Sequence, residues 1–523
     1  MDPTPHVAVV GGGITGLAAA YFLQELSRER GRPVAITLLE AGPRLGGKIL
    51  TERVDGFCIE AGPDSFLARK PWARLLAERL GLGEELVTID PRHRRTYIVR
   101  QGQLHPIPEG LFMFVPLRMD GLARSQLLSP AAKERMAMEP SIPPGPPGDE
   151  SIADFVARRV GQEALEQLAE PLLTGIYAGR ADRLSIMATF PQFKEAEQRA
   201  GSLVKGLGGG RAAGGPSREP AAGSGNSHRG EGAGGGLSGR APGGPGSNGA
   251  GGSAFLALRG GLETLVDALV HHLTGVTVRT GVKVTALAAA SGVAAGPAGP
   301  GAEPAGAGPD PAGTGPRYVL TLSDGTRLAA HAVIMTMPAF AAADLLAPLC
   351  PSAAAPLRAM RFVSVITCAL GFDRADVQHP LDGTGFLVPR KEGRAITACT
   401  WVSSKWAHTA APDRALIRCY LGRDGEEQVM ALSDGAVVDL VRRELEELMG
   451  IDAAPRLVRV YRWERAMPQY EVGHLDRVAA VEQALASWPG LLVAGASYQG
   501  LGIPDCVRQG ELAAQRALAA CCP

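Results

Sequence analysis

The chain has 523 residues, and its 53 Lys and Arg are balanced by 53 Asp and Glu, so the formal charge is zero and nothing calls for nucleic acid or an acidic polymer as partner. This length allows two or three domains with ample core-forming residues, while no apolar run approaches the roughly 20 residues that span a bilayer. Cysteines stand at 58, 350, 368, 399, 419, 506, 521 and 522; with neither a Cys-x-x-Cys pair nor a Cys/His metal pattern, they predict reduced thiols in a cytoplasmic protein and no bound metal.

In chain order, Val7–Val10 reads as a strand with no charged-then-apolar leader before it. It runs into Gly11-Gly12-Gly13-Ile14-Thr15-Gly16, a helical pattern over Thr15–Glu29 with Leu17, Tyr21 and Leu23–Leu26 on its apolar face, and a second strand at Ala35–Leu39 closed by Glu40. Glycine turns of this form are weak evidence alone, but a strand before, an amphipathic helix after and an acid at the next strand end are the context that dinucleotide binding requires. Gly11 allows the tight turn, Gly13 lets backbone approach a pyrophosphate, and Gly16 packs helix against strand, with Gly12, Ile14 and Thr15 completing the cradle. Glu40, beside Ala41, is placed to accept hydrogen bonds from ribose hydroxyls, and its charge would repel the 2′-phosphate of NADP. Arg44-Leu45-Gly46-Gly47-Lys48 follows: Arg44 and Lys48 bring positive charge towards phosphates and Gly47 lets backbone close in, the alternative being a surface turn with solvated charges.

Residues 72–90 predict a helix, and 120–190 are rich in helix formers, broken by a Pro/Gly loop at 140–148. Ser151 to Asp154 reads as a capping-box variant before Phe155. Phe112–Leu117 is apolar enough to touch a membrane, and is expected to be buried instead. Residues 206–252 are dominated by Gly and 291–316 by Ala, Gly and Pro; neither buries enough apolar surface to offset chain ordering, so both are expected to be disordered insertions, loop expansions or a functional tether. Strands are predicted at Lys283–Leu287, Tyr318–Leu322, Ala332–Thr336, Ser364–Phe372, Gly385–Val388, Ala395–Trp401 and Leu416–Leu421, and a helix at 433–449.

Near the C-terminus, the apolar run Leu491–Ala494 ends in glycines, and Asp505 opens another helix-forming stretch. A helix start carries free N–H groups and a partial positive charge, which suit a pyrophosphate or the electron-rich pyrimidine end of a flavin. Two such starts at opposite ends of one chain predict a single long dinucleotide held by both, and FAD is the natural candidate. The expected fold is α/β, α+β overall: a discontinuous Rossmann-like FAD-binding domain (1–68, 253–345 and 476–523), a mainly helical domain (69–205), and a substrate-binding domain (346–475) with a mostly antiparallel sheet.

Four separated blocks carry a specific resemblance: Glu60-Ala61-Gly62-Pro63-Asp64-Ser65-Phe66-Leu67-Ala68-Arg69-Lys70; Glu170–Gly179 continuing to Phe190-Pro191-Gln192-Phe193; Arg462–Tyr470; and Gly500–Cys506. With the Arg44–Lys48 element and in this order, they resemble the FAD-dependent coproporphyrinogen III and protoporphyrinogen oxidases of the amine-oxidase superfamily, over essentially the whole chain outside the two insertions. The Asp64-Ser65-Phe66 version with Ala395–Trp401 looks most like the soluble Gram-positive-type enzymes. The resemblance implies non-covalent FAD held also by Gly62, Pro63, Asp64, Ser65, Val284, Trp463, Gly502, Ile503, Pro504 and Asp505. It implies six-electron oxidation of coproporphyrinogen III to coproporphyrin III in haem biosynthesis, by three two-electron transfers with oxygen reduced to peroxide. Protoporphyrinogen IX is the alternative substrate, and transient handover to a chelatase a further expectation.

Because aromatisation drives the reaction and the cofactor carries the chemistry, no acid–base triad is nominated. The substrate's propionates call for cations, so Lys70, with Arg69 beside it, is the first candidate; a solvated lysine at a helix start is the alternative. Arg92, Arg94 and Arg95 form a denser cluster that reads better as a solvated strand edge. Ile176 and Tyr177 suit apolar walls for the macrocycle, and core packing accounts for them equally well. Two other readings are a flavin amine oxidase on the same fold and a binding protein that has lost FAD, as prenyl-GTPase escort proteins resemble. Ser497-Tyr498, where covalently flavinylated members place a cysteine, and the intact glycine set with Glu40 speak against them.

Overall fold

A computed structural model describes residues 4–208, 254–290 and 315–521; apart from 206–208 and 315–316, the two predicted insertions lie outside the described residues.

Among the described residues the first sheet has five parallel strands in the order Val276–Arg279, Ala35–Leu39, His6–Val10, Ala332–Met335 and Leu491–Val493. Its central strands are near-continuous aliphatic runs because helices and loops cover both faces: Val7, Ala8, Val9 and Ile334 are fully buried. Pairing of Val9 with both Leu38 and Ile334 fixes the register. The first helix, Ile14–Glu29, and the last, Ile503–Cys521, cross against each other on one face of this sheet. Glycine is required at the crossing, since a Cβ on Gly510 would stand 2.6 Å from the Thr15 carbonyl oxygen and 3.0 Å from Ala18 Cβ.

The second sheet has seven strands in the order Leu457–Pro468, Phe362–Asp373, Arg414–Leu421, Ile396–Trp401, Gly385–Leu387, Thr96–Arg100 and Gln103–Pro106. All neighbours are antiparallel except Gly385–Leu387 with Thr96–Arg100. The stretch expected to be mainly helical, 69–205, thus lends two strands to this sheet. The helix expected over 72–90 also ends early, at Arg79; Gly81 turns the chain at φ +79°, and Leu86–Thr88 becomes a strand paired with Phe255–Leu258. The helical layer that follows has its own core, into which Phe114 and Val115 of the apolar 112–117 segment are fully buried. Ser151 caps the helix Ile152–Val160, its hydroxyl accepting from the Asp154 N–H and donating to the Asp154 carboxylate at 2.6 Å.

A hairpin, Thr51–Val54 with Phe57–Glu60, joins the two sheets. Phe57 and Ile59 pack with Ala369, Trp406, Leu416 and Leu457 in a small shared core. Glu52 accepts from Arg459 and Tyr461 of the larger sheet at 2.6 and 2.7 Å. The loop after this hairpin is therefore delivered to the seam between the sheets.

Candidate functional site

The turn Gly11–Gly16 leaves the central strand of the parallel sheet at Gly11, whose φ is +111°. A Cβ on Gly16 would lie 1.8 Å from the Gly11 carbonyl oxygen, so only glycine allows the helix to start this close to the strand. Gly13 is the helix N-cap; no side chain caps that first turn and no acidic residue stands in it, which leaves the helix start suited to an anion. Glu40 accepts from the Gly12 and Gly42 N–H groups at 2.6 and 2.7 Å, so its carboxylate is fixed beside the turn, with Ala41 exposed next to it. The Gly46 N–H donates to the Gly12 carbonyl at 2.8 Å, and a Cβ on Gly47 would meet Gly13 Cα at 3.1 Å. The two glycine elements form one backbone surface.

Arg44 and Lys48, expected to approach phosphates, are turned elsewhere. The Arg44 guanidinium donates to the carbonyls of Leu45, Gly47 and Ile49 and so holds its own loop. The Lys48 ammonium donates to the Ala466 carbonyl of the larger sheet, and burial lowers its pKa.

Gly62 lies against the Lys48 carbonyl, which an added Cβ would approach to 2.1 Å. Trp463 donates its indole N–H to the Ala61 carbonyl at 2.9 Å. Asp64, its side chain 11% exposed, sits in a cluster of charges: Lys405 at 2.9 Å, Arg418 at 3.3 Å and the Ser65 hydroxyl at 2.6 Å. Burial alone would raise its pKa; the two cations and the hydroxyl outweigh that and hold the carboxyl well below the usual range. Glu60 behaves oppositely. Burial raises it to about 7, against the Leu262 N–H, the Thr51 hydroxyl and Arg418.

The last helix begins at Ile503, two residues before the expected Asp505. Thr15 lies beneath Gly510, and the seven residues from Gly510 back to Ile503 span about 10 Å of helix, so this second helix start stands along the site from the glycine turn. Tyr470 ties the loop before it, donating to the Ala496 carbonyl at 2.8 Å and accepting from the Gly500 N–H at 2.9 Å, while His474 stacks on its ring at 4.0 Å. Asp505 is taken by Lys70, whose ammonium lies 2.7 Å from both carboxylate oxygens. The structure thus joins the first candidate for a substrate cation to a candidate cofactor residue.

The remaining candidates separate. Arg69 is exposed. Ile176 is 40% exposed, whereas Tyr177 is buried against Phe190 and Tyr470, so core packing accounts for Tyr177. Val284 packs its side chain into the core with Val10 and Leu39; what it brings near Glu40 is its strand, whose neighbour Val282 donates to the Glu40 carbonyl at 2.9 Å. Arg92 is occupied by Asp90 and Arg95 by Asp382 at the surface. Sequence reasoning missed Arg418, Lys405, Thr367 and Tyr470. For Arg418 a signal was present: it is the one charge in the run Ala415-Leu416-Ile417-Arg418-Cys419-Tyr420-Leu421, and a charge in a buried strand must have a partner.

The profile of flavin containing amine oxidoreductases matches residues 14–518. A coproporphyrinogen III oxidase of Bacillus subtilis (strain 168) is 38% identical over 519 residues, covering 99% of this chain and 98% of that one. A solved structure from Exiguobacterium sp. 255-15, assigned as a protoporphyrinogen oxidase, has a TM-score of 0.78 at 33% identity, covering 99% of this chain and all of its own. Cyclohexylamine oxidase from Brevibacterium oxydans IH-35A, with a TM-score of 0.62 at 16% identity over 99% of both chains, shares the fold alone.

Proposed function

The chain belongs to the flavin-containing amine oxidoreductases, within the branch of coproporphyrinogen III and protoporphyrinogen oxidases, and from that premise we propose that it oxidises coproporphyrinogen III to coproporphyrin III in haem biosynthesis with non-covalent FAD. The observation that carries this reading is the packing of the first and last helices against each other on one face of the parallel sheet, with an uncapped glycine turn at the start of the first and Glu40 fixed beside it. Residues 1–68, 253–345 and 476–523 form the cofactor unit in this reading, and 346–475 with Thr96–Pro106 the substrate unit.

FAD supplies a two-electron acceptor, so the six-electron oxidation takes three rounds, each ended by oxygen with release of peroxide. The glycine turn takes the pyrophosphate on backbone N–H groups, Glu40 the ribose hydroxyls, and the Gly502–Asp505 helix start the ring end. Cys506 is no candidate for a thioether: it is buried in the last helix, its Sγ faces the Leu501 carbonyl, and burial pushes its thiol up to about 11. The protein's task is to hold a meso carbon at the ring and exclude water. Lys70 and Arg69 offer charge to propionates, and Ile176 an exposed apolar wall. Lys70 meets a propionate by exchanging it for Asp505. The protein acts in the cytoplasm and passes its product to a chelatase.

Side-by-side steady-state kinetics, followed by porphyrin fluorescence, test the substrate. Higher kcat/KM on coproporphyrinogen III is expected. Preference for protoporphyrinogen IX would move the chain to the second reading, which the Exiguobacterium likeness favours. Oxidation of neither, with turnover of amines, would refute both.

A further inference from the structure

The loop Glu60–Ser65 is held by side chains from three adjacent strands of the larger sheet. From Arg414–Leu421, the buried Arg418 guanidinium donates to the Glu60 carbonyl, to the Gly62 carbonyl at 3.0 Å, and approaches the Asp64 carboxylate at 3.3 Å. From Phe362–Asp373, the Thr367 hydroxyl donates to the Ala61 carbonyl at 2.8 Å. From Leu457–Pro468, the Trp463 indole donates to that same carbonyl. The acceptors of three consecutive residues, 60 to 62, are thereby all fixed on the sheet. The N–H groups of Gly62, Asp64 and Ser65 donate to no acceptor among the described residues. The Arg418 fork is itself oriented, its Nε donating to the Tyr420 hydroxyl at 2.9 Å.

We propose that Arg418 is a positioning residue: by gripping Glu60, Gly62 and Asp64 together, it sets the height at which the loop's free N–H donors face the reacting centre, and so couples the substrate sheet to the cofactor unit. This rests on the reading of the site as that of an FAD-dependent porphyrinogen oxidase. The physical basis is fork geometry. A guanidinium serves several acceptors in one plane, whereas an ammonium is a single point of donation. Arg418→Lys therefore keeps charge beside Asp64 but cannot reach both carbonyls.

The test compares Arg418→Lys, Arg418→Met and Thr367→Val with the parent as FAD-loaded proteins. Three quantities are read: visible circular dichroism of the bound flavin, the affinity of apoprotein for FAD, and the anaerobic rate of flavin reduction by coproporphyrinogen III per bound flavin. For Arg418→Lys a changed flavin dichroism is expected, with FAD affinity largely retained through the glycine turn. Its reduction rate should fall about 10- to 100-fold, the scale of a displacement near 1 Å. Thr367→Val, which removes one of two donors to Ala61, should change both in the same direction but less. Unchanged dichroism and rate in Arg418→Lys would overturn the proposal, as would a loss confined to thermal stability. If Arg418→Met does not fold, the other two variants decide. If the parent flavin is not reduced by porphyrinogen, the proposed function fails, while the dichroism of the variants still decides whether Arg418 sets the loop.

Discussion

Glu60 and Asp64 stand at the two ends of one short loop and respond to pH in opposite senses. Glu60 is raised by burial from 4.5 to about 7. The folded protein keeps a proton there that the unfolded chain has released, so its contribution to stability is full below about pH 4.5 and is lost as pH rises through about 7. Asp64 is depressed below the usual 3.8 by Lys405 and Arg418; its contribution is present above that value and is lost only as pH falls through the lower, folded one. Glu60→Gln should therefore flatten the thermal midpoint between about pH 5 and 7.5 and raise it above the parent's at about pH 8, because the amide still accepts from Leu262 and donates to Thr51. Differential scanning fluorimetry across pH checks this; a parallel profile for the two proteins contradicts it. At Glu40, Ala substitution strands the Gly12 and Gly42 donors and, on the proposed function, removes the acceptor for the ribose. Loss of charge-assisted bonds worth about 1.5–3 kcal/mol each should weaken FAD binding by at least about tenfold, measured by titrating apoprotein; unchanged affinity would remove Glu40 from the site. For Lys70→Ala, the same scale applies to a propionate contact. KM should rise for carboxylate porphyrinogens and not for their esters, and equal effects on both would leave Lys70 as the partner of Asp505 alone.

Between elements, the crossing of the first and last helices is the joint on which both helix starts depend. Gly510→Val adds atoms to a position where even a Cβ stands 2.6 Å from the Thr15 carbonyl, and overpacking of this kind costs about 1–3 kcal/mol. A lower thermal midpoint together with weaker FAD binding is expected, since moving one helix moves the other; full flavin affinity at reduced stability would uncouple them. This scale also separates what the sequence disclosed from what it hid. The first strand, glycine turn and helix were legible because their periodicity and turn chemistry are local, and Ala35–Leu39 and Tyr318–Leu322 are observed with the predicted ends. Lys70 was singled out as a candidate cation, but its partner Asp505 lies 435 residues away. Arg418 grips a loop 356 residues before it. No periodicity reports such a pairing, because it depends on which strands become neighbours. The strands at Thr96–Pro106 were missed for the same reason: their pairing partner, Gly385–Leu387, is distant in sequence.

For the whole molecule, three strands of the seven-stranded sheet hold the Glu60–Ser65 loop, and no helix among the described residues is long and apolar enough to cross a membrane. Deleting residues 209–250, whose composition offers almost no large apolar side chain, should leave flavin content and turnover unchanged; a fall in turnover with flavin retained would instead give that stretch a role in the reaction. The central claim is that a porphyrinogen delivers electrons to FAD held between the glycine turn and the last helix. Anaerobic mixing of the FAD-loaded protein with coproporphyrinogen III tests it most directly, with flavin absorbance and porphyrin fluorescence followed together. The account predicts that the oxidised-flavin band bleaches as porphyrin fluorescence rises, and returns when oxygen is admitted. A flavin band that persists in the presence of both coproporphyrinogen III and protoporphyrinogen IX would contradict it.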